Sequence, residues 1–520
     1  MYNLIELYTS QGWYMTYQSL KEDNPLGIHE DPDKLHRYYL RALKAKSGIY
    51  FDTGKTQQSL ILIDQAVDFA DEQFGRTGQE KIDVMLDRAH ILMNTGRVYA
   101  DIDKFIRSIG DLIDNDESHL QYARMIKMLG SLKWYEGKYD ETKKYYSKAM
   151  QIHKKKGDKA RYYNLVNEYA LACQYMDDYE TARKYYRAAL EYFEKSGDKR
   201  TIAVIYENLS TIMNRTGEIQ KAVEYLMQSQ ALYGEMGNKN RLSNISNNLG
   251  ISYARMGDLE RALKYFEDAF KIGKEIDDRR ALGQAANNLG LVYYNQGNLD
   301  RALKKFMIKL EIAESTDEKS GIAIVSGNIG LIYYYKREYE LALSYLRKTV
   351  KIARLISVPY DEGIAYMTMG SIYRCLEQYK KSMKYHKKAL EIFSKINAIA
   401  ELAENYINQA ELLLILKNYE ECRKLLDKAL SISEETRIDK QTIQAKKVMG
   451  MLSIAAGDYE DALSNLNEAN EMAMKRGYIL ERGFVLKAMH KLFKARKDKK
   501  NARKYMKEGT KILKEAGVPV

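Results

Sequence analysis

Only one stretch of this 520-residue chain resembles part of a nucleotide-binding loop. Gly54-Lys55-Thr56 has the form of the last three residues of a phosphate-binding loop, in which backbone amides and a lysine hold phosphate groups. Such a loop needs a further glycine five positions before Gly54. That position holds Ile49, and Gly48 stands one position too early. We therefore interpret the stretch as a turn between two helices and predict no nucleotide cofactor.

Histidine and cysteine, which often hold metal ions or act as nucleophiles, are scattered along the chain. The histidines show no metal-binding spacing such as H-E-x-x-H, and they form no recognisable catalytic set with serine and aspartate. Cys173, Cys375 and Cys422 form neither a C-x-x-C pair nor a disulfide framework, which fits a reducing compartment. We predict no metal site, no cofactor, no catalytic residue and no enzymatic activity. The histidines are interpreted as packing or surface residues: His29, His36, His90, His119, His153, His386 and His490.

The composition excludes two broad classes of protein. Hydrophobic residues make up 45% of the chain and charged residues 30%, so the chain is neither disordered nor embedded in a membrane. Its longest aliphatic run, Leu412 to Leu416, is far shorter than the ~20 residues that span a bilayer. The N-terminus has no basic start followed by an apolar run, so we predict no secretory signal. These features predict a cytoplasmic protein with no membrane partner.

The net charge of +12 is concentrated at the C-terminal end. Residues 491–520 contain 11 Lys and Arg against 3 Asp and Glu, an excess of +8. Because the rest of the chain is nearly balanced, nucleic acid is not favoured as a partner. Two interpretations of the basic C-terminal end stay open: the solvated outer face of a capping repeat, or a contact with an anionic partner.

The elements that would position any site are repeats. Gly250, Gly290, Gly330 and Gly370 recur 40 residues apart, and a tyrosine stands three positions after each of them. An alanine stands twelve positions after each of the first three glycines. A fixed period of this length indicates stacked copies of one supersecondary unit with a continuous core. Since the chain contains only four prolines, it can be helical almost throughout, and we predict an all-α solenoid.

Each repeat contains the signals of two helices. Between residues 240 and 276, apolar residues recur at spacings of three and four along two segments. Gly257 is placed to end the first helix, and Asp258 is placed to cap the second. A glycine inside a helix costs about 1 kcal/mol relative to alanine, so the recurrence of Gly250 and its counterparts predicts a close helix crossing. We expect Ala262 to contact the glycine position across this crossing, where a larger side chain would be overpacked.

The repeat frame divides the chain into four parts. We predict an atypical N-terminal helical cap over residues 1–33, two degenerate repeats over 34–116 and a regular array over 117–477. A C-terminal repeat with a basic capping helix follows over 478–520. This division gives about 12 repeats and about 24 helices.

The pattern resembles the tetratricopeptide repeat (TPR) family. Its motif has a small residue at place 8, an aromatic at place 11, alanine at place 20 and an aromatic near place 24, as Gly250, Tyr253, Ala262 and Phe266 do. The period of 40 is longer than the family's usual period of about 34. It is similar to the extended repeats of kinesin light chains, Pins-type adaptors, Rap-type regulators and the regulatory tails of some ATPases, cyclases and kinases. The resemblance implies a right-handed superhelical solenoid whose first helices line a concave groove for peptides or proteins.

Polar residues on the first helices are the candidate binding residues. Places 2, 5, 9, 12 and 13 of the motif share one helical face, away from the buried stripe. Asparagine there can pair with a peptide backbone, tyrosine adds apolar area, and arginine can bind carboxylates. A row of asparagines at place 6, which includes Asn248 and Asn288, could instead join neighbouring helices. The predicted peptide-binding residues are Asn164, Asn167, Asn214, Arg215, Asn244, Asn247, Arg255, Gln284, Asn287, Tyr294, Asn295, Tyr334, Tyr335 and Arg374.

These observations predict a non-enzymatic scaffold that binds a peptide or protein segment in its concave groove, centred near residues 205–345. The alternative is a regulatory sensor module that controls a separate effector, such as an ATPase, a cyclase, a kinase or a transcription factor. A neighbouring gene or an upstream extension that encodes such an effector would favour the second hypothesis. The identity of the ligand and the oligomeric state stay open.

Overall fold

The computed structural model of the protein describes residues 32–52, 55–93, 98–113, 120–436 and 438–519. Within these ranges every regular element is an α-helix, which confirms the predicted fold class. The predicted N-terminal cap lies outside the described residues, apart from its last two positions, as do Gly54, His29 and His119. The handedness of the solenoid and the division into four parts stay predictions.

The described residues form 24 helices of similar length. In chain order they are α1 (Pro32–Asp52), α2 (Thr56–Phe74), α3 (Gln79–Met93), α4 (Tyr99–Leu112), α5 (Leu120–Tyr135), α6 (Tyr139–Lys155), α7 (Lys159–Tyr175), α8 (Tyr179–Ser196), α9 (Lys199–Thr216), α10 (Ile219–Glu235), α11 (Lys239–Arg255), α12 (Leu259–Glu275), α13 (Arg279–Asn295), α14 (Leu299–Ser315), α15 (Lys319–Tyr335), α16 (Tyr339–Leu355), α17 (Pro359–Cys375), α18 (Tyr379–Lys395), α19 (Ile399–Ile415), α20 (Tyr419–Thr436), α21 (Asp439–Ala456), α22 (Tyr459–Arg476), α23 (Ile479–Ala495) and α24 (Lys499–Glu515).

The chain divides into two compact units, with the boundary between Glu218 and Ile219. Within each unit the helices pack in chain order. In the second unit, for example, α11 packs against α12 and α12 packs against α13. Odd-numbered helices are the first helices of the sequence repeats and even-numbered helices are the second ones. The core therefore runs along the row of hairpins, as expected for a repeat protein in which each hairpin buries its apolar face on its neighbours.

The turns between helices recur every 20 residues. From Gly137 to Gly517, each described residue on this spacing has a positive φ. Glycine, which adopts this left-handed conformation without a steric cost, holds about half of these places. The predicted helix signals around Gly257 are confirmed: its φ is +81°, and Asp258 accepts a hydrogen bond of 2.9 Å from the backbone N–H of Arg261. Elsewhere the same turn holds a residue with a side chain, such as Ser357 or Glu377.

A serine-to-glycine exchange should stabilise one of these turns. Ser357 and Gly237 occupy equivalent turns with φ of +57° and +63°, and both are exposed. The left-handed conformation costs a residue with a Cβ about 1–2 kcal/mol, and the added flexibility of glycine in the unfolded chain offsets part of that. We expect Ser357→Gly to raise the free energy of unfolding by about 0.5 kcal/mol and Gly237→Ser to lower it by about 1 kcal/mol. Chemical denaturation measures both changes, and changes of equal sign would contradict the strain argument.

The predicted close crossing lies between the two helices of each hairpin. Thr142, at the alanine place, donates a hydrogen bond of 3.1 Å to the carbonyl oxygen of Gly130, and Cys422 donates one of 3.3 Å to Ala410. The two places twelve residues apart are therefore in contact, as predicted. The side chain sixteen positions after the glycine also fills the crossing. A Cβ added to Gly290 would lie 2.5 Å from the ring of Phe306.

Candidate functional site

First helices of successive hairpins line a cavity in the second unit. This cavity, which we call the inner cavity, has a volume of about 440 Å³. Its wall is formed mainly by α15, α17, α19, α21 and α23, with the turn after α15 and Val518 at its edge. Polar and charged side chains on this wall include Tyr334, Tyr335, Arg374, Glu404, Asn408, Glu411, Gln444, Lys447 and Glu481.

Contacts between distant parts of the second unit lie in or near the inner cavity. The backbone N–H of Leu299 donates a hydrogen bond of 3.4 Å to the carbonyl oxygen of Ala516, and the Leu299 side chain is buried. The rings of Tyr335 and Phe484 are stacked with their centroids 6.2 Å apart. We call these contacts the closure. Because they join residues about 150 to 220 positions apart, they are not a consequence of the local packing of neighbouring repeats.

Helix α19 runs along the wall of the inner cavity and contributes three polar side chains to it. Glu404, Asn408 and Glu411 are spaced at i, i+4 and i+7, so all three lie on one helical face, and all three line the cavity. Seven residues of α-helix rise about 10 Å. Glu404 and Glu411 therefore mark two regions of the wall about 10 Å apart along the helix axis.

The region around Glu411, here the basic pole, has more positive than negative charge. Arg374 Nη2 lies 2.6 Å from Glu411 Oε2, and Lys447 Nζ lies 2.7 Å from Glu411 Oε1. The three side chains are at most 18% exposed. Burial alone would raise the pKa of Glu411, but the two cations lower it to about 2. Glu411 therefore stays ionised, and the basic pole has two positive charges against one negative charge.

The region around Glu404, here the acidic pole, has the opposite balance. Lys440 Nζ lies 3.6 Å from Glu481 Oε1 and 5.6 Å from the centroid of the Tyr294 ring. The carboxylate of Glu404 forms no hydrogen bond or ion pair with any residue that the structure describes. Burial raises the pKa of Glu404, and the nearby Lys440 offsets only part of this effect. The acidic pole thus has two carboxylates against one ammonium group.

Four of the predicted binding residues lie in or beside the inner cavity. Tyr334, Tyr335 and Arg374 line it, and Tyr294 accompanies them because its hydroxyl donates a hydrogen bond of 3.4 Å to that of Tyr335. All four are half-buried. The predicted centre at residues 205–345 thus overlaps only part of the cavity wall, which extends to Val485 and Val518.

The other predicted residues lie on helix surfaces outside the cavity lining. In the second unit Asn244, Arg255, Gln284 and Asn295 are exposed, and Asn287 is half-buried. Asn247 accepts a hydrogen bond of 2.8 Å from Asn288, so the place-6 row joins neighbouring repeats at this point. In the first unit the remaining four are exposed or half-buried: Asn164, Asn167, Asn214 and Arg215.

Several residues of the poles are not among the predicted binding residues, although they stand at the same places of the motif. Glu404 and Gln444 stand at place 2, Lys447 at place 5 and Glu411 at place 9. The predicted residues belong mainly to the central repeats, whereas most of the cavity wall belongs to the later ones. Extending the same places to every repeat would have found these residues, but not Lys440 and Glu481, which precede the motif's first place.

The histidine and cysteines described next, which were considered as possible catalytic or metal-binding residues, are buried in the core. His386 is fully buried, and its Nδ1 lies 3.0 Å from Asn405 Oδ1. Burial lowers the pKa of His386 to about 4, although the Asn405 contact acts in the opposite direction. Cys173 and Cys422 are buried, as predicted for small core residues. In the described ranges no group of His, Cys, Asp and Glu could hold a metal ion, and no helix is long and apolar enough to cross a membrane.

Comparison with known proteins places the chain among repeat proteins. A family model described as the MalT-like TPR region matches residues 168–479. The apo form of the quorum sensor NprR from B. thuringiensis is similar in structure, with a TM-score of 0.50 and 15% identity, over 68% of this chain and 98% of NprR. The apo form of RapI has a TM-score of 0.47 and 16% identity, over 52% of this chain and 99% of RapI.

A third similar structure is a signal transduction ATPase with numerous domains and a tetratricopeptide repeat sensor, from Pyrococcus horikoshii. It has a TM-score of 0.45 and 16% identity, over 80% of this chain and 71% of that protein. No curated protein sequence matches the chain significantly.

Proposed function

Because the chain belongs to the family of MalT-like TPR regions, we propose that it is a non-enzymatic binding module that holds a peptide or protein segment against its first helices. The observation that carries this proposal is the inner cavity, where five first helices present charged and polar side chains to one enclosed space. A wall that only completed the fold would be expected to be mainly apolar or fully paired, because buried charges are costly unless they are paired. Here the ion pairs between described residues include Glu411 and Glu481 but not Glu404.

The residue types on the wall fit a ligand with a peptide backbone. Asn408 and Gln444 each carry an amide that can donate and accept hydrogen bonds. Tyr334 and Tyr335 offer large aromatic faces with a polar tip, at a small loss of side-chain entropy. Binding would thus combine several polar contacts with a few aromatic ones.

The alternative function is a sensor module that controls a separate effector. The closure supports it, because a ligand in the inner cavity would lie against residues that form these contacts, including Tyr335 and Phe484. A ligand that binds the closed and open arrangements with different affinity would shift the balance between them. This hypothesis also accords with NprR, which is described as a quorum sensor. An effector encoded beside this chain would favour it.

A capture experiment tests the binding module. The full chain is immobilised, a native lysate is passed over it, and retained proteins are identified. We expect the double variant Asn408→Ala, Gln444→Ala to retain the main partner at least about tenfold less strongly, since it loses two or more hydrogen bonds at about 1 kcal/mol each. The matched control is Lys351→Ala with Glu391→Ala, two exposed positions on the second helices α16 and α18.

Binding constants measured with the purified partner then decide the matter. If the partner binds the cavity variant as tightly as it binds the control variant and the original chain, it does not use the inner cavity. That result would contradict the proposal. Asn287→Ala tests the predicted surface outside the cavity in the same assay. It is a better probe than Asn247→Ala, because Asn247 already accepts a hydrogen bond from Asn288 and its loss would also lower stability.

A further inference from the structure

The two poles of the inner cavity differ in charge and in how well their charges are compensated. At the basic pole, Arg374 and Lys447 share Glu411, which leaves one positive charge in excess. At the acidic pole, Lys440 and Glu481 compensate each other, which leaves the charge of Glu404 in excess. Both excess charges face the same enclosed space. A ligand with charges in the reverse order would neutralise both of them.

Glu404 is the stronger indication of a ligand. An ionised carboxylate that lines a cavity is costly unless a cation or hydrogen-bond donors compensate it, and among the described residues only Lys440 compensates the charge of Glu404, and only in part. The neighbouring carboxylates Glu401 and Glu411 on the same helix do have partners: Glu401 accepts a hydrogen bond of 2.7 Å from the Tyr360 hydroxyl, and Glu411 has its two cations. An ammonium group that entered the cavity would supply the missing partner.

We propose that the inner cavity binds a short zwitterionic ligand, with an ammonium group at Glu404 and a carboxylate at Arg374 and Lys447, which flank Glu411. Glu404 and Glu411 are about 10 Å apart along the axis of α19. The termini of an extended peptide of about three residues have this spacing, because each residue spans about 3.3–3.6 Å. This inference rests on the proposed function, and it specifies the ligand as a free short peptide rather than an internal segment of a protein.

The middle of the cavity and its closure agree with such a ligand. Asn408 and Gln444 line the wall between the poles and could pair with the peptide groups of the ligand. A volume of about 440 Å³ is within the range of small-ligand sites. Tyr335 and Phe484, which form part of the closure, line the same cavity and could contact such a peptide.

The test uses the full chain and four pools of mixed tripeptides. One pool has free termini, one is N-acetylated, one is C-amidated, and one is blocked at both ends. Equilibrium dialysis with mass spectrometry identifies bound peptides, and calorimetry gives their affinities. We expect the free pool to supply the tightest ligands, with each block weakening binding about tenfold or more, since a charge-assisted hydrogen bond is lost.

Two substitutions assign the termini to the poles. Glu404→Gln keeps the shape of the side chain. In this variant N-acetylation should no longer weaken binding, whereas C-amidation should still weaken it; we call each such loss of affinity a penalty. Lys447→Gln leaves the Arg374–Glu411 pair intact and should do the converse. The matched controls are Glu468→Gln and Lys446→Gln, which break an ion pair of 2.5 Å between α21 and α22 and should change neither penalty. Thermal unfolding checks that each variant folds.

The outcomes separate this inference from the proposed function. The inference is supported if free tripeptides bind best and if each variant removes the loss of affinity that is caused by blocking one terminus. Equal binding of free and fully blocked peptides would contradict the hypothesis of a zwitterionic ligand. That result would favour binding of an internal segment of a protein. No binding of any tripeptide would also overturn the inference, and the proposed function would then depend on the capture experiment with Asn408→Ala and Gln444→Ala.

Discussion

Replacing Glu411 with alanine should lower the free energy of unfolding by about 3–5 kcal/mol, because two buried cations lose their common partner. Arg374 and Lys447 lie 2.6 and 2.7 Å from the Glu411 carboxylate. Without it the two cations, which are at most 18% exposed, would repel each other. Urea denaturation followed by circular dichroism measures the loss. The matched control is Glu420→Ala on the neighbouring helix α20, where Glu420 pairs with Lys424 at 2.7 Å on an exposed surface.

We expect no measurable change from the Glu420 control, because exposed ion pairs contribute little. An equally small change from Glu411→Ala would show that water or a bound anion compensates the basic pole. The double variant Glu411→Ala, Lys447→Ala should recover part of the lost stability, since only one uncompensated cation remains. A double variant less stable than Glu411→Ala would contradict this explanation.

The stability provided by Glu411 should depend on pH in a defined window. Its pKa in the folded protein is about 2, below the ordinary value of 4.5. The contribution is therefore complete above pH 4.5 and is lost as the pH falls from 4.5 towards 2. Glu404 acts in the opposite direction, because burial raises its pKa and protonation relieves the cost of its charge. The loss of stability between pH 4.5 and pH 2 should accordingly be smaller in Glu411→Gln than in the original chain.

Replacing Ala262 with leucine should lower the free energy of unfolding by about 1–3 kcal/mol, because the added atoms have no space at the helix crossing. Ala262 is fully buried at the place that contacts the glycine row. The matched control is Ala231→Leu, at an exposed position on α10, where we expect little change. Thermal unfolding measures the stability of both variants. An Ala262→Leu variant as stable as the original chain would contradict the explanation that close packing requires a small residue at the alanine place.

The same crossing can be tested from the glycine side. A Cβ on Gly290 would lie 2.5 Å from the Phe306 ring, so Gly290→Ala should lower the free energy of unfolding by about 1–3 kcal/mol. Gly327 is also helical, but the nearest atom to its added Cβ would be Thr349 Oγ1 at 3.6 Å. Gly327→Ala should therefore raise the free energy of unfolding by up to about 1 kcal/mol through helix propensity alone. Chemical denaturation of both variants measures the difference, and a destabilised Gly327→Ala would contradict the distinction between the two glycines.

The local features of the fold could be predicted because each depends on residues that are close in the chain. The spacing of apolar residues predicts the helices, Asp258 predicts a cap, and Gly250 with Ala262 predicts a crossing. Several turns without glycine were harder to recognise. Arg337 and Glu377 adopt the left-handed conformation although neither residue type favours it. Only their position on the 20-residue spacing indicates it.

The candidate site could be predicted only in part, because its enclosure depends on how small rotations accumulate over many repeats. No pattern within one repeat shows that Leu299 meets Ala516, or that the wall around Glu404 and Glu411 is enclosed. The sequence indicated the helical face that lines the cavity at Tyr334, Tyr335 and Arg374, but not which repeats surround a cavity. The pairing of Arg374 with Glu411 joins neighbouring first helices, and charge alone did not single it out among many similar residues.

The closure has a consequence for how this protein can change during evolution. Repeat proteins commonly gain or lose whole repeats, since each repeat contacts only its neighbours. Here the hydrogen bond between Leu299 and Ala516 spans five repeat lengths, so duplicating or deleting one 40-residue copy between them would turn the two partners away from each other. We therefore expect that relatives with the same cavity keep the number of repeats in this segment constant, even where the individual residues diverge.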